Sequence, residues 1–572
     1  MINDIFRKII FLLPPLEKVR SRFLFLMIAI SAILDTVGIA LIFPFMKLVS
    51  DKDIINNNIY AESAYRYSKS LGVDNINDFY LLASVLLFIY FLFNLFFRGV
   101  TQLLLYRFIF RQELNLSEKL LSDYLHRPYK WFLSAQSSDL NKNILSEVSV
   151  VTNKVFLPFA TFVTQVFTIV AIITMLVFIN VKVTLTIAAL LLGTYFFIHN
   201  IVKSKLSQIG EIRAKANGGR FRIVRDAFGA IKEVKSNGIE AFFTKSFSYS
   251  AGKFATAQSS AHAITDLPRY FLEILSFGGL VLAIMLMILD GQDFSLVIPV
   301  LSVYAFAAFR LIPCVNQIYT SISIMRFSKP SLDMICSDYL CQPSHPEETI
   351  ENALINYKDD IRLTNVSFSY LDSRDSFVKD LSFTIPYGHS TAIFGFSGSG
   401  KSTIVDIILG LLSPLSGGVY IGNTQITKDN ARLWRTGVGY VPQRTYLVDD
   451  TLAKNIALGK HENEIDYELL IKVSKIACVD SFVKELPNGY QEVIGNDGMC
   501  LSGGQCQRIG VARALYTNPE VIILDEATSA LDIETEDKVM QLLKQTYSDR
   551  TLILVSHRVE LVNKCDYIID LN

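Results

Sequence analysis

The chain has 572 residues, more than one ordinary domain needs, and its 54 Lys plus Arg balance 54 Asp plus Glu, so nothing in the net charge points to a nucleic-acid partner. Hydrophobic residues make up 51% and charged residues only 19%, which is too apolar for a purely soluble protein. The seven cysteines, Cys314 to Cys565, form no Cys-x-x-Cys pair, which argues against a zinc site or disulfide framework and for reduced thiols facing the cytosol.

The N-terminus lacks the pattern of a cleavable signal. Ile2, Ile5, Phe6, Ile9, Ile10 and Leu13 share one helical face, with Asn3, Asp4, Arg7 and Lys8 opposite, and Pro14-Pro15 stops the helix. This predicts a short amphipathic helix on the membrane surface, with a soluble packing helix as the alternative. Six apolar stretches follow, near 23–47, 79–100, 155–178, 183–201, 270–289 and 296–318. Each is long enough to cross a bilayer, which takes roughly 20 helical residues. Arg7, Lys8, Lys18, Arg20 and Arg22 precede the first stretch and place the N-terminus in the cytoplasm. The segments 101–154 and 202–269 are long and rich in helix formers, so the helices on either side are expected to project into the cytoplasm. Their tips are expected near 134–140 and 225–231.

Charges inside apolar stretches are costly and point to function, although arginines near helix ends also snorkel to the interface. Arg98, Arg269 and Arg310 are candidates for a cavity that binds an anionic group, phosphate above all; the competing reading is snorkelling or pairing with Asp35 and Glu273. The expected domains are a membrane domain over 1–328, a polar linker over 329–358 and an α/β domain over 359–572, whose motifs follow.

In that last domain Gly395-Phe396-Ser397-Gly398-Ser399-Gly400-Lys401-Ser402 matches the phosphate-loop pattern, between the apolar run Ala392-Ile393-Phe394 and a helical pattern that begins at Thr403. Backbone N–H groups and the helix N-terminus would cradle phosphates, with Lys401 on the outer phosphates and the Ser402 hydroxyl on Mg²⁺. The run Val521 to Leu524 reads as a buried strand ending in Asp525-Glu526. Asp525 is placed to hold Mg²⁺ through water, and Glu526 to polarise the attacking water. His557, past the next strand, is placed to bridge the terminal phosphate and Glu526.

Leu501-Ser502-Gly503-Gly504-Gln505 resembles the signature motif of the ATP-binding cassette (ABC) transporters. Gln443 in Val441-Pro442-Gln443 resembles their Q-loop, Ser529-Ala530-Leu531-Asp532 their D-loop and His557 their switch histidine. Tyr370 sits where the family stacks an aromatic ring on adenine. Six spans followed by one cassette resemble an exporter half-transporter. The resemblance implies the ABC exporter fold, ATP and Mg²⁺ as ligands, with Ser402, Gln443 and Asp525 at the metal, and Thr403 beside the nucleotide. It also implies a second copy, or a heterodimeric partner, whose signature segment completes each ATP site. In the family the cytoplasmic tips pass cassette motion to the membrane helices.

Two features depart from the family: Cys506 replaces the usual Lys or Arg, and the sequence stops at Asn572, where a further strand and helix are common. Among exporters, Phe309-Arg310-Leu311-Ile312-Pro313, Pro268-Arg269-Tyr270 with Glu273, and the outer connection before residue 79 are most similar to lipid-linked oligosaccharide flippases of the bacterial inner membrane. That resemblance implies a polyprenyl-diphosphate glycan as cargo. Export of a lipid A type lipid or of a hydrophobic drug stands as the alternative, and an ABC protein that gates or regulates without transport as a second.

Overall fold

The structure, a computed structural model, describes residues 2–50, 59–69, 75–179, 181–289, 294–340, 355–370, 378–396, 398–495 and 501–571, with many side chains over 182–204 and 267–301 outside the described set. The chain divides into two compact units, Met1–Arg127 with Ser134–Ser344, and Pro128–Leu133 with His345–Asn572.

The first unit is helical. Helix α1 spans Ile2–Leu12, and α2 spans Pro15–Ser50. Pro15 occupies the first turn of α2, where its missing N–H costs nothing, and the Pro14 carbonyl accepts from the Glu17 and Lys18 amides. Ile5, Ile9, Leu12 and Leu13 are buried, whereas Phe6 and Ile10 stay partly exposed. Thus α1 packs on its own unit by one edge of its apolar face. The short helix α3 (Ile59–Lys69) carries an Arg66–Glu62 pair at 2.6 Å.

The expected apolar stretches fall within α2, α4 (Ile76–Leu125), α5 (Leu157–Ile179), α6 (Val181–Gly229), α7 (Glu240–Leu289) and α8 (Phe294–Phe327), apart from residues 155 and 156, which precede α5. Among the described residues, three helices are long and apolar enough to cross a membrane: Pro15–Val49, Ile76–Leu125 and Ser137–Phe178. On α4, Leu92, Phe93, Leu95 and Phe96 point outward, as suits a surface facing lipid. Inside, Ile39 of α2, Ile172 and Leu176 of α5, and Val303, Ala307 and Leu311 of α8 form one apolar core.

Between Lys142 and Leu157 the helix leading into α5 widens twice into π turns, Asn143–Glu147 and Thr152–Phe156. Glu147 is fully buried there, and it accepts from Arg213 at 3.0 Å and Asn217 at 3.1 Å, both on α6. Removing one partner of a buried pair like this costs about 3–5 kcal/mol, because the other charge stays buried.

The first expected tip, 134–140, holds the short helix Ser137–Lys142, and the second the break at Ala230 followed by Ile231–Asn237. Arg225 Nη1 donates to Ser138 Oγ at 3.1 Å and joins the two regions. One expectation changes at the end of this unit. Residues 329–340, read from sequence as linker, form helix α9 (Lys329–Leu340). Leu332, Ile335 and Cys336 recur at helical spacing and are buried, and Asp333 takes Lys8 of α1 at 2.7 Å. A short apolar face behind Lys329, Ser337 and Asp338 resembles loop composition when read residue by residue.

The second unit carries two sheets. The smaller is antiparallel, in the order β2 (Val378–Ile385), β1 (Ile361–Phe368), β4 (Ser416–Ile421), β5 (Thr424–Gln425). The larger is parallel, in the order β6 (Val438–Val441), β7 (Val521–Asp525), β8 (Thr551–Ser556), β3 (Ser390–Phe394), β9 (Tyr567–Asp570). Every residue of β7 and β8 is buried, as expected of strands covered on both faces. In a parallel sheet all carboxyl ends lie on one edge. Gly395 after β3, Asp525 at the end of β7 and His557 after β8 are therefore brought to a common edge although they are distant in sequence.

Candidate functional sites

The phosphate loop leaves β3 and enters helix α10 (Lys401–Ile408). Gly398 and Gly400 hold φ of 89° and 95°, a region that side-chain-bearing residues avoid, so glycine is required at both turns. The Lys401 ammonium donates to the carbonyls of Gly395 at 2.8 Å and Phe396 at 2.9 Å, folded across the loop it would share with phosphate. Among the described residues Ser399 Oγ is buried with no hydrogen-bond partner, a polar atom that an anion in the cradle would satisfy. Ser397 lies outside the described residues. Tyr370, at the end of β1, packs edge-on against Phe368 and bonds Thr403 Oγ1 at 2.7 Å. Tyr370 as a whole is 40% exposed.

Beneath the loop, buried carboxylates accumulate. Burial, and then the adjacent Glu526 charge, raise the pKa of Asp525, partly offset by hydrogen bonds from Tyr440 and Ser402 and by the Lys401 charge. Burial and the Asp525 charge push Asp406 of α10 up to about 6. The oxygen donors of Ser402, Asp525 and Gln443 make a hard set of the kind Mg²⁺ takes, and a cation there would relieve this repulsion.

Glu526 follows β7 with a φ of 47°, unusual for a residue with a Cβ, and its amide donates to Val555 of β8. Its carboxylate takes the Gln443 amide at 2.6 Å and faces His557 Nδ1 at 3.2 Å. Gln443, Glu526 and His557, separated by up to 114 positions (557 − 443), therefore stand in one hydrogen-bonded row.

The signature segment opens helix α11 (Gly503–Tyr516). Ser502 and Gln505 cap each other, Ser502 N to Gln505 Oε1 at 2.8 Å and Gln505 N to Ser502 Oγ at 3.2 Å. The N–H groups of Gly503 and Gly504 belong to the first turn and have no partner within the helix. Gly504 lies against the D-loop, where an added Cβ would stand 2.9 Å from the Ala530 carbonyl. Leu501 packs on the apolar core, and Cys506 joins it there, so the departure from the family pattern is absorbed by apolar contact. Asp532 caps helix α12 (Ile533–Thr546) through the Thr535 amide at 2.9 Å.

Sequence reasoning missed the residue that ties these loops together. Gln507, buried on α11, accepts from the Ala530 amide at 2.9 Å and donates to Ser529 Oγ at 3.2 Å and to the Gln443 carbonyl at 3.4 Å. One turn on, a Cβ at Gly510 would overlap the Thr445 hydroxyl, and one turn further Arg513 reaches the Tyr446 carbonyl at 2.9 Å. The 507, 510, 513 spacing on one helix face was the available signal.

In the first unit, a cavity of about 270 Å³ is lined by Asp35, Arg98, Gln102, Gln165, Arg310 and Gln317, with three threonines of α5. Arg310 pairs with Asp35, which also takes the Asn94 amide at 2.9 Å, and Gln165 bonds Gln317. Two of the three candidate arginines thus share a cavity, and the pairing expected as the alternative for Arg310 is present as well. The side chains of Arg269 and Glu273, and Pro268 beside them, lie outside the described set.

The chain matches two family models, "ABC transporter transmembrane region" over residues 23–292 and "ABC transporter" over residues 378–529. It is 41% identical over 224 residues to "ABC transporter B family member 14" of Arabidopsis thaliana, a match covering 39% of this chain and only 18% of that longer protein. It is 30% identical over 460 residues to an "ATP-dependent lipid A-core flippase" of Saccharophagus degradans, covering 80% of this chain and 76% of the relative. A solved bacterial Atm1-family ABC exporter with ATP bound superposes with a TM-score of 0.80 at 21% identity, over 97% of this chain and 93% of that one, a likeness of fold. On this similarity, spanning both the transmembrane region and the ATPase domain, the chain belongs to the ABC transporters, as an exporter-type half-transporter.

Proposed function

We propose that the protein is an ATP-driven flippase that moves a lipid-linked oligosaccharide on a polyprenyl-diphosphate carrier across the bacterial inner membrane, as a homodimer. The observation that carries the cargo assignment is the cavity holding Arg98 and Arg310 among glutamines and threonines. A diphosphate would meet guanidinium groups there, and sugar hydroxyls would find amide and hydroxyl partners, while the apolar carrier remains in lipid. Arg269 joins this set if its side chain faces the same space.

Each ATP lies between the Gly395–Ser402 loop of one chain and the Leu501–Gln505 segment of its partner. Lys401 and the loop amides hold the outer phosphates, Thr403 and Tyr370 border the nucleotide, and Phe396 lies on the loop's open side. Ser402, Asp525 and Gln443 would hold Mg²⁺, which would supply charge neutralisation at the phosphates. Glu526 takes a proton from the attacking water, and His557 keeps Glu526 and the terminal phosphate in register. The free Gly503 and Gly504 amides complete the phosphate shell from the partner side. Ser529 to Asp532 set the edge against which that segment rests.

Export of a lipid A type lipid is the second reading, favoured by the relative from Saccharophagus degradans named for that cargo. ATPase activity of the reconstituted transporter separates the two. Polyprenyl-diphosphate oligosaccharide is expected to stimulate hydrolysis more than a lipid A type lipid or a hydrophobic drug. Stimulation by the lipid A type alone would transfer the assignment to the second reading.

A further inference from the structure

A second cavity in the first unit, about 340 Å³, is lined by apolar side chains, including Phe6 and Ile10 of α1, Phe25 of α2, Phe108 of α4, and Phe156 and Phe159. Lys18, Ser21 and Arg22 also line it, and they stand one turn apart on α2. The neighbouring cations are engaged: Arg20 and Arg111 with Glu17, and Lys8 with Asp4 and Asp333. Among the described residues Lys18 and Arg22 have no acidic partner. Ile28 and Leu105 line both this groove and the polar cavity, and form the wall between them. From Lys18 to Ile28 is ten residues, about 15 Å of helix. That is half of a hydrocarbon core of about 30 Å, the depth of one leaflet.

We propose that this groove is a binding site for one anionic glycerophospholipid. Its phosphate sits at Lys18, Ser21 and Arg22, and one acyl chain runs along Phe25 to end against Ile28 and Leu105. Two unpaired cations at the mouth of an apolar slot one leaflet deep match a charged head on a chain of that reach. The bound chain supports the wall of the polar cavity from its dry side, so the lipid around the transporter affects the cavity without entering it. The site depends on the membrane-spanning fold and on neither reading of the cargo, and its test involves no transport.

The test uses the full-length transporter in phosphatidylcholine nanodiscs that contain a trace of phosphatidylglycerol with a photoreactive group at the end of one acyl chain. Labelled residues are mapped by mass spectrometry. Labelling is expected to concentrate at Ile28, Leu105 and their neighbours, on the order of tenfold above the same probe with a choline head. Lys18→Ser with Arg22→Ser is expected to reduce it to the choline level while basal ATPase is retained. Equal labelling by both probes, labelling indifferent to the double substitution, or labels spread evenly along the outward face of α4 would each overturn the proposal.

Discussion

The two units place polar groups by opposite means. In the nucleotide unit the chemistry stands at the ends of strands, where backbone geometry fixes each group: Lys401 bonds two carbonyls of its own loop, and Glu526 hangs from a strand end tied to Val555. In the membrane unit the Asp35–Arg310 pair joins residues 275 positions apart, and only the packing of α2 against α8 brings them together. A local motif therefore identifies the first kind of site, whereas the second exists only once the bundle is assembled.

The largest expected effect lies on the nucleotide side. Glu526→Gln keeps the shape and the Gln443 contact but removes the base, so ATP hydrolysis is expected to fall by about 10² to 10⁴. Phosphate release within a few-fold of the parent protein would remove Glu526 from that role.

On the membrane side, Arg310→Ala is expected to reduce flipping in proteoliposomes roughly tenfold, the worth of one charge-assisted phosphate contact, with most basal ATPase retained. Flipping at the parent rate would show that the cavity does not bind cargo. Because Arg310 also holds Asp35, the variant with Asp35→Asn added tests whether an orphaned carboxylate caused the loss.

Gly510→Ala probes the helix that joins the loops. The added methyl meets the Thr445 hydroxyl and is expected to destabilise the nucleotide unit by about 1–3 kcal/mol in thermal unfolding. Thr445→Ala in the same chain should restore much of this, and no recovery would place the strain elsewhere. Gln507→Ala is expected to cost about 1–3 kcal/mol as well, since buried partners are left unsatisfied, and to lower ATPase through the Q-loop and D-loop.

The smallest effect is a pH dependence. Asp406 holds its proton more tightly in the folded protein, where its pKa is about 6, than in the unfolded chain, where it is about 4. Its contribution therefore lowers stability as pH rises through that window, and the penalty is complete above it. Asp406→Asn should remove this slope from the unfolding midpoint of the nucleotide-free transporter. An unchanged slope would mean that another group titrates there.

Much of the nucleotide unit was legible because its signals are short and ordered along the chain: the glycine-rich loop, strand-end carboxylates and a signature segment before β7. Gln507 was legible only as one member of the 507, 510, 513 face, since a glutamine on a helix carries by itself no mark of the two loops it touches. In the membrane unit hydropathy indicated where long helices lie but not which faces meet. Arg98 and Arg310 could be listed as candidates from sequence, whereas Gln165 and Gln317 could not be distinguished from glutamines facing elsewhere. Helix α9 was hidden for a related reason, since three buried residues are too few to stand out in a polar stretch.

The two π turns before α5 have a consequence for how this segment tolerates change. Each wide turn carries one residue more than an α turn, worth about 100° of rotation. The segment thus acts as a phase shifter: it orients Glu147 toward Arg213 independently of the direction in which Thr161, Thr164 and Gln165 face further along. Loss of one residue from Asn143–Glu147 would turn the first wide turn into an ordinary α turn, leave the second in place and still satisfy every local rule. It would also rotate the threonine stripe out of the polar cavity, a lesion to which helix content is blind.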